Sequence, residues 1–153
     1  MLVKEYMTTK LVTVEMDDTL ATVREIFEKT GFHHLLVVER GEVVGVLSDR
    51  DLLRHLSPYV GTAAETTRDA ATLHKHVHQI MARKPITLTP ESELAEVLEK
   101  FRHKDVTCLP VVDRHNKVVG IVTWRDMLKL MGNVLLPAST HDSAEGEGAS
   151  RAA

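Results

Sequence analysis

The seven residues GVLSDRD (45–51) return as GIVTWRD (120–126). In each, a hydroxyl (Ser48, Thr123) precedes a carboxylate (Asp51, Asp126) by three residues. Two kinds of chemistry use such a pair. A hydroxyl where a strand gives way to a helix accepts from the first free N–H groups of the helix, and an acid in the first turn suits the helix dipole. The pairs are then S-x-x-D and T-x-x-D caps, acidic relatives of the capping box. Alternatively, the carboxylate accepts two hydrogen bonds from a ribose diol, as an acidic residue does in dinucleotide folds, while the hydroxyl and the helix N-terminus face a phosphate. A cap needs no preceding glycine and does not explain why both copies keep glycine, two aliphatics and a hydroxyl. Residue chemistry alone leaves both readings open.

Other reactive side chains are weaker candidates. His74, His76 and His78 alternate and would share a face of a strand, a possible metal site. Leu73, Val77 and Ile80 are spaced for a helix, where only His74 and His78 approach each other. Cys108 opens an apolar run and reads as a buried structural thiol. Trp124 lies inside the second motif, placed to stack on a base or to pack on a partner subunit. Asp17 and Asp18 fit a helix N-terminus better than a magnesium site. No hydrolase triad, Walker loop or paired-carboxylate pattern is present. The expectation is therefore a protein without catalytic residues, a metal or enzymatic activity.

The elements that position the motifs repeat as well. Met7, Lys10, Thr13, Leu20, Val23 and Phe27 recur 74 residues later as Met81, Lys84, Thr87, Leu94, Val97 and Phe101. One extra residue in the turn (DRHNK against ERGE) lengthens the offset to 75, so that Gly45, Arg50 and Asp51 fall on Gly120, Arg125 and Asp126. Each copy begins with an extended piece (11–14; 85–88). A helix follows, with Leu20, Val23, Ile26 and Phe27, or Leu94, Val97, Leu98 and Phe101, as its buried stripe; Gly31 is a stop signal. Two β-rich runs around a polar turn read as an antiparallel hairpin (34–48; 108–123). A second helix starts at Asp49 or Arg50, with its twin through Met127, Leu128 and Leu130. The fold class is α+β: two pseudo-symmetric β-α-β-β-α repeats packed through their sheets. The expected organisation is repeat one over 1–56, a linker with a helix over 57–79, repeat two over 80–133 and a disordered tail over 134–153. About 60 residues is marginal for a repeat alone, which favours one joint domain.

Bulk properties narrow the function. The chain has 153 residues, 43% hydrophobic and 27% charged, with a formal net charge of −3. There is no global basic field, so nucleic acid is not an expected partner. No apolar run approaches the roughly 20 residues of a membrane helix, and the N-terminus lacks the apolar core of a signal peptide. A single cysteine excludes an intrachain disulfide and fits a cytoplasmic location.

The two G-h-h-[ST]-x-x-D segments, the L-P-V-V-D stretch (109–113) and the repeat together resemble the cystathionine β-synthase (CBS) domain, present as a tandem pair over about residues 1–133. The chain looks like the small stand-alone bacterial CBS proteins. The resemblance implies a regulatory module for adenosine-containing ligands (AMP, ADP, ATP or S-adenosylmethionine) in two clefts between the repeats. Carried over, cleft one uses Val46, Ser48 and Asp51 with Ile86, Val106 and Thr107. Cleft two uses Ile121, Thr123 and Asp126 with Val12, Phe32 and His33. Asp51 and Asp126 would hold ribose, Ser48 and Thr123 would face the α-phosphate, and the aliphatic residues would sandwich adenine. His34 stands where family members with phosphorylated ligands often carry a basic side chain, and its counterpart is Cys108. His33, His34 and Arg125 therefore make cleft two the better phosphate site. Leu36, where the second repeat has Pro110, departs from the pattern. The resemblance further implies a homodimer through the helices after the motifs, with Met127, Leu130 and Met131 exposed in the monomer, and an unknown downstream protein. The alternative is a structural adaptor with vestigial sites.

Overall fold

The computed structural model describes residues 1–136. In repeat one, β1 (Thr13–Val14), α1 (Leu20–Thr30), β2 (His34–Glu39), β3 (Glu42–Ser48) and α2 (Asp49–His55) follow the expected order. The linker holds α3 (Thr67–Ala71), and a short strand, β4 (Ala82–Arg83), follows it at the start of repeat two. Repeat two contributes α4 (Leu94–His103), β5 (Cys108–Val112), β6 (Val118–Thr123) and α5 (Trp124–Leu135). Gly31 ends α1 in the left-handed region at φ 65°, where its N–H donates to the Phe27 carbonyl.

β1 lies parallel to β2, and β2, β3 and β4 pair antiparallel, giving a four-stranded sheet. The hairpin β5–β6 is extended by a parallel bridge from Leu88 to Val111 and an antiparallel bridge from Thr8 to Ile121. Its neighbours thus repeat the arrangement of the first sheet. Corresponding bulges follow Val37 and Val111.

Each repeat borrows the segment that precedes the other. The Val3 N–H donates to the Ser92 carbonyl at 2.9 Å and the Leu94 N–H to the Met1 carbonyl at 3.0 Å. Seventy-four residues on, the Val77 N–H donates to Asp18 and the Leu20 N–H to Lys75, both at 2.9 Å. Val3 is fully buried in the core of repeat two with Leu88, Val97 and Leu109; Val77 is fully buried in that of repeat one with Leu20, Val23 and Leu47. A third cluster, Leu36, Cys108 and Ile121 with Val46 and Leu11 against it, joins the two sheets.

Two expectations are corrected. The linker does not form one helix through Leu73, Val77 and Ile80. After α3 it makes separate 3-10 turns at Thr72–His74 and Val77–Gln79. Lys75 and His76 between them are extended, which carries the Lys75 carbonyl to Leu20 and drops Val77 into the core. Met127 is not surface-exposed: it packs into the core of repeat two, with Leu130 against it. Of the tail, Val134 and Leu135 close α5, and residues 137–153 lie outside the described residues.

Candidate functional site

Each motif ends its strand in a reciprocal cap. Thr123 donates twice to Asp126 Oδ2, from its N–H at 2.7 Å and its hydroxyl at 2.8 Å, and the Asp126 N–H donates back to Thr123 Oγ1 at 3.3 Å. Ser48 and Asp51 repeat the arrangement at 2.9, 2.8 and 3.1 Å. Among the described residues, all the bonds to either carboxylate fall on Oδ2, leaving Oδ1 uncommitted. A third copy of the cap, Thr66 with Asp69, starts α3 in the linker. The cap by itself is thus a way to start a helix anywhere in this chain.

The motif glycines have a separate cause. A Cβ on Gly45 would stand 2.7 Å from Met81 Sδ and 3.1 Å from the Ala82 carbonyl oxygen; one on Gly120 would stand 2.6 Å from Met7 Sδ and 3.2 Å from the Thr8 carbonyl oxygen. Met7 and Met81 lie in the exchanged segments, which run so close to β6 and β3 that no side chain fits between.

A cavity of about 210 Å³ opens between the repeats. Val12, Phe32, His33 and His34 reach it from repeat one, and Ile121, Thr123, Arg125 and Asp126 from repeat two. Thr8, Lys10, Leu11, Gly31, Leu36 and Lys129 complete its lining. Sequence reasoning passed over these last six as site residues. Thr8 and Lys10 belong to the extended segment beside β6, and Lys129 stands three residues after Asp126 on the same face of α5; that spacing was a readable signal.

A second cavity, about 380 Å³, adjoins the first through His33, His34 and Arg125. It lies where the two motifs face each other, and Ser48, Asp49, Arg50, Thr107 and Trp124 line it. The guanidinium of Arg125 sits 5.8 Å from the centre of the Trp124 ring. Of the remaining cleft-one residues, Val46 packs on the intersheet cluster, and Ile86 and Val106 lie against the core of repeat two. Asp51 is close enough to Cys108 for its charge to add to burial in raising the thiol.

The histidines at this ridge differ from a simple pair of phosphate ligands. His33 Nδ1 lies 2.8 Å from Asp49 Oδ2. His34 Nε2 shares a 2.8 Å hydrogen bond with Thr107 Oγ1, which ties repeat one to repeat two. Burial lowers the His34 imidazole below its ordinary pKa, with the Asp49 charge pulling the other way. Burial thus disfavours the charged form of His34, which stands as a bridge between the repeats. Cys108 is buried, which pushes its thiol up to about 12. Among the described residues no group of three or more His, Cys, Asp and Glu is placed to hold a metal ion. His76 and His78 stack face to face with ring centres 5.6 Å apart.

Comparison with known proteins agrees with this architecture. A CBS domain family model matches residues 3–58 and again 77–133. A CBS domain-containing protein of Dictyostelium discoideum is 35% identical over 138 residues, 89% of this chain and 94% of that protein. Other curated relatives are longer: the chain spans 46% of protein MJ1225 of Methanocaldococcus jannaschii, at 27% identity over 83% of this chain. Among solved structures, the CBS domain pair of protein MJ0100 in complex with 5′-methylthioadenosine and S-adenosyl-L-methionine superposes with a TM-score of 0.72 at 26% identity, covering 88% of this chain and 98% of that one. The cytosolic domain of the Mg2+ channel MgtE in complex with ATP gives a TM-score of 0.64 at 28% identity, covering 82% of this chain and 46% of that one. With both repeats matched and the exchanged α+β pair in place, the chain belongs to the CBS domain family and carries its domain as a tandem pair.

Proposed function

We propose that this chain is a regulatory ligand-sensing module that binds an adenosine-containing nucleotide in clefts between its CBS repeats and signals through conformational or oligomeric change. The observation that carries the reading is Asp126: it caps α5 with Oδ2 and leaves Oδ1 uncommitted beside a cavity lined from both repeats. A ribose diol donates to that oxygen, Thr123 faces the α-phosphate, and Val12, Phe32 and Ile121 enclose the adenine. Asp51, Ser48, Val46, Ile86, Val106 and Thr107 serve cleft one in the same way. AMP, ADP, ATP and S-adenosylmethionine all carry the adenosine this chemistry recognises. The ligands named for MJ0100 and MgtE support the class. A ligand that touches both repeats has an affinity that depends on their relative placement, and so biases it. The module acts in the cytoplasm on a downstream protein and catalyses no reaction.

One observation favours a second reading, a structural adaptor with vestigial sites. Leu53 on α2 and Leu128, Met131, Val134 and Leu135 on α5 are exposed, an apolar surface suited to a homodimer contact. Thermal unfolding with AMP, ADP, ATP, S-adenosylmethionine and GTP separates the two. At about 100 times its Kd, a ligand adds roughly 2.7 kcal/mol of apparent stability. We expect an adenosine ligand to raise the midpoint and Asp126→Ala or Asp51→Ala to remove the shift. If no ligand moves the midpoint, the motifs serve as helix caps and the adaptor reading stands.

A further inference from the structure

The two clefts differ in one contact. His34 opens β2 and pairs in register with Ser48 of the cleft-one motif. Its Nε2 shares the 2.8 Å hydrogen bond with Thr107 Oγ1, and Thr107 stands on the opposite repeat. The bond therefore runs across cleft one, from the strand beside its hydroxyl to its far wall. Ser48 and Thr107 line the larger cavity, Asp51 lines neither, and Val46 packs on the intersheet cluster. The residues assigned to cleft one thus do not meet around either cavity.

The internal repeat supplies a contrast within the same chain. The register that pairs Met7 with Met81 pairs His34 with Cys108 and His33 with Thr107. Cys108 lies opposite Thr123 of the cleft-two motif, as His34 lies opposite Ser48. Its side chain is short and buried in the intersheet cluster, and His33 turns to Asp49 at 2.8 Å. Among the described residues cleft two therefore has no matching tie, and Phe32 of repeat one lines a single cavity with Thr123 and Asp126 of repeat two.

We propose that His34 is a latch on cleft one: cleft two takes the first ligand, and cleft one takes a second only when His34 releases Thr107. The proposal rests on the adenosine reading above and adds the order in which the clefts fill. A ligand sees only the fraction of molecules whose cleft is open, and its apparent Kd rises in inverse proportion to that fraction. A hydrogen bond of ordinary net strength leaves roughly a tenth to a third of molecules open. Cleft one is then weakened roughly three- to ten-fold by the latch alone.

The test is calorimetric titration of the full chain with AMP, ATP and S-adenosylmethionine, continued with whichever binds. The tighter step in wild type should be lost in Asp126→Ala and kept in Asp51→Ala. Asp126→Ala leaves cleft one to be read alone. Adding His34→Ala to it should tighten binding roughly three- to ten-fold, or reveal a step too weak to see before. Adding His34→Gln, which keeps a hydrogen-bonding group, should do neither. Thermal unfolding of each variant checks the fold; if the double variants do not hold it, the order of filling in wild type and the two single variants decides. Loss of the tighter step in Asp51→Ala, two equal steps in wild type, or no tightening on adding His34→Ala would overturn the latch and leave the adenosine reading in place. Failure of all three compounds to bind wild type would overturn both.

Discussion

At Asp126 a single carboxylate can serve structure and binding at once. A carboxylate has two oxygens and about four acceptor sites; the cap occupies one oxygen and leaves the other beside the cavity. Capping and diol binding, alternatives on residue chemistry, are therefore compatible. The linker cap of Thr66 and Asp69 shows the same division of labour away from the clefts: Oδ2 starts a helix while Oδ1 accepts from the Ser57 hydroxyl at 2.6 Å. Cys108 shows how far burial suppresses reactivity. Only 6% exposed, with its thiol pushed up to about 12, it remains protonated throughout the neutral range and is a poor nucleophile. Labelling of the native protein with a thiol reagent at about pH 8 is expected to be far slower than labelling in denaturant; equal rates would show that the intersheet cluster opens readily. The reading of Cys108 as a buried thiol was available from the apolar run it opens. The lowered pKa of His34 was not, because it follows first from burial, which depends on distant parts of the chain meeting.

Between elements, the closest constraint is the passage of each exchanged segment over a motif glycine. Gly120→Ala pushes a Cβ into Met7 and toward the Thr8 carbonyl oxygen, and should cost about 1–3 kcal/mol, the range for overpacking. Part of that cost should be recovered in the double variant with Met7→Ala, because residues in contact are non-additive. Urea unfolding of the two single variants and the double variant measures the coupling; strict additivity would show that Met7 is not what the glycine accommodates. The repeat in the sequence paired Met7 with Met81 and Gly45 with Gly120 but gave no sign that the methionine of one copy rests on the glycine of the other. Sequence periodicity records which positions are equivalent. It does not record which copy an element packs against. The linker teaches a related lesson: Val77 and Ile80 do bury, yet their spacing of three belongs to a 3-10 turn entered from extended backbone and not to a continuous helix.

Across the whole molecule, two repeats that are marginal alone are joined by their exchanged segments, the intersheet cluster and the bridge from His34 to Thr107. The bridge makes stability depend on pH in a definite direction. Burial lowers the folded pKa of His34 below its unfolded value of about 6.5, so as pH falls the unfolded chain takes up the proton first. The contribution is whole above about 6.5 and is lost as pH falls through the folded pKa. Carboxylates lowered by their partners, such as Glu96 beside Lys100, act only at more acid pH. His34→Gln keeps a hydrogen-bonding group but cannot titrate. Its thermal midpoint should fall less than that of wild type between about pH 7 and pH 5.5. Parallel curves would show that His34 does not carry the dependence.

The sequence by itself determined the two copies, their β-α-β-β-α order, the caps of the motif helices and the family to which the chain belongs. These rest on local signals: apolar periodicity, capping pairs, a glycine stop and spacing within a few residues. Only the tertiary structure decided that the repeats exchange their leading segments, that the motif glycines answer to methionine, that His34 bridges the repeats to Thr107, and that Lys10 and Lys129 join Asp126 around one cavity. Each of these depends on which distant surfaces meet and how much water they exclude, and neither quantity is written in the order of residues along the chain.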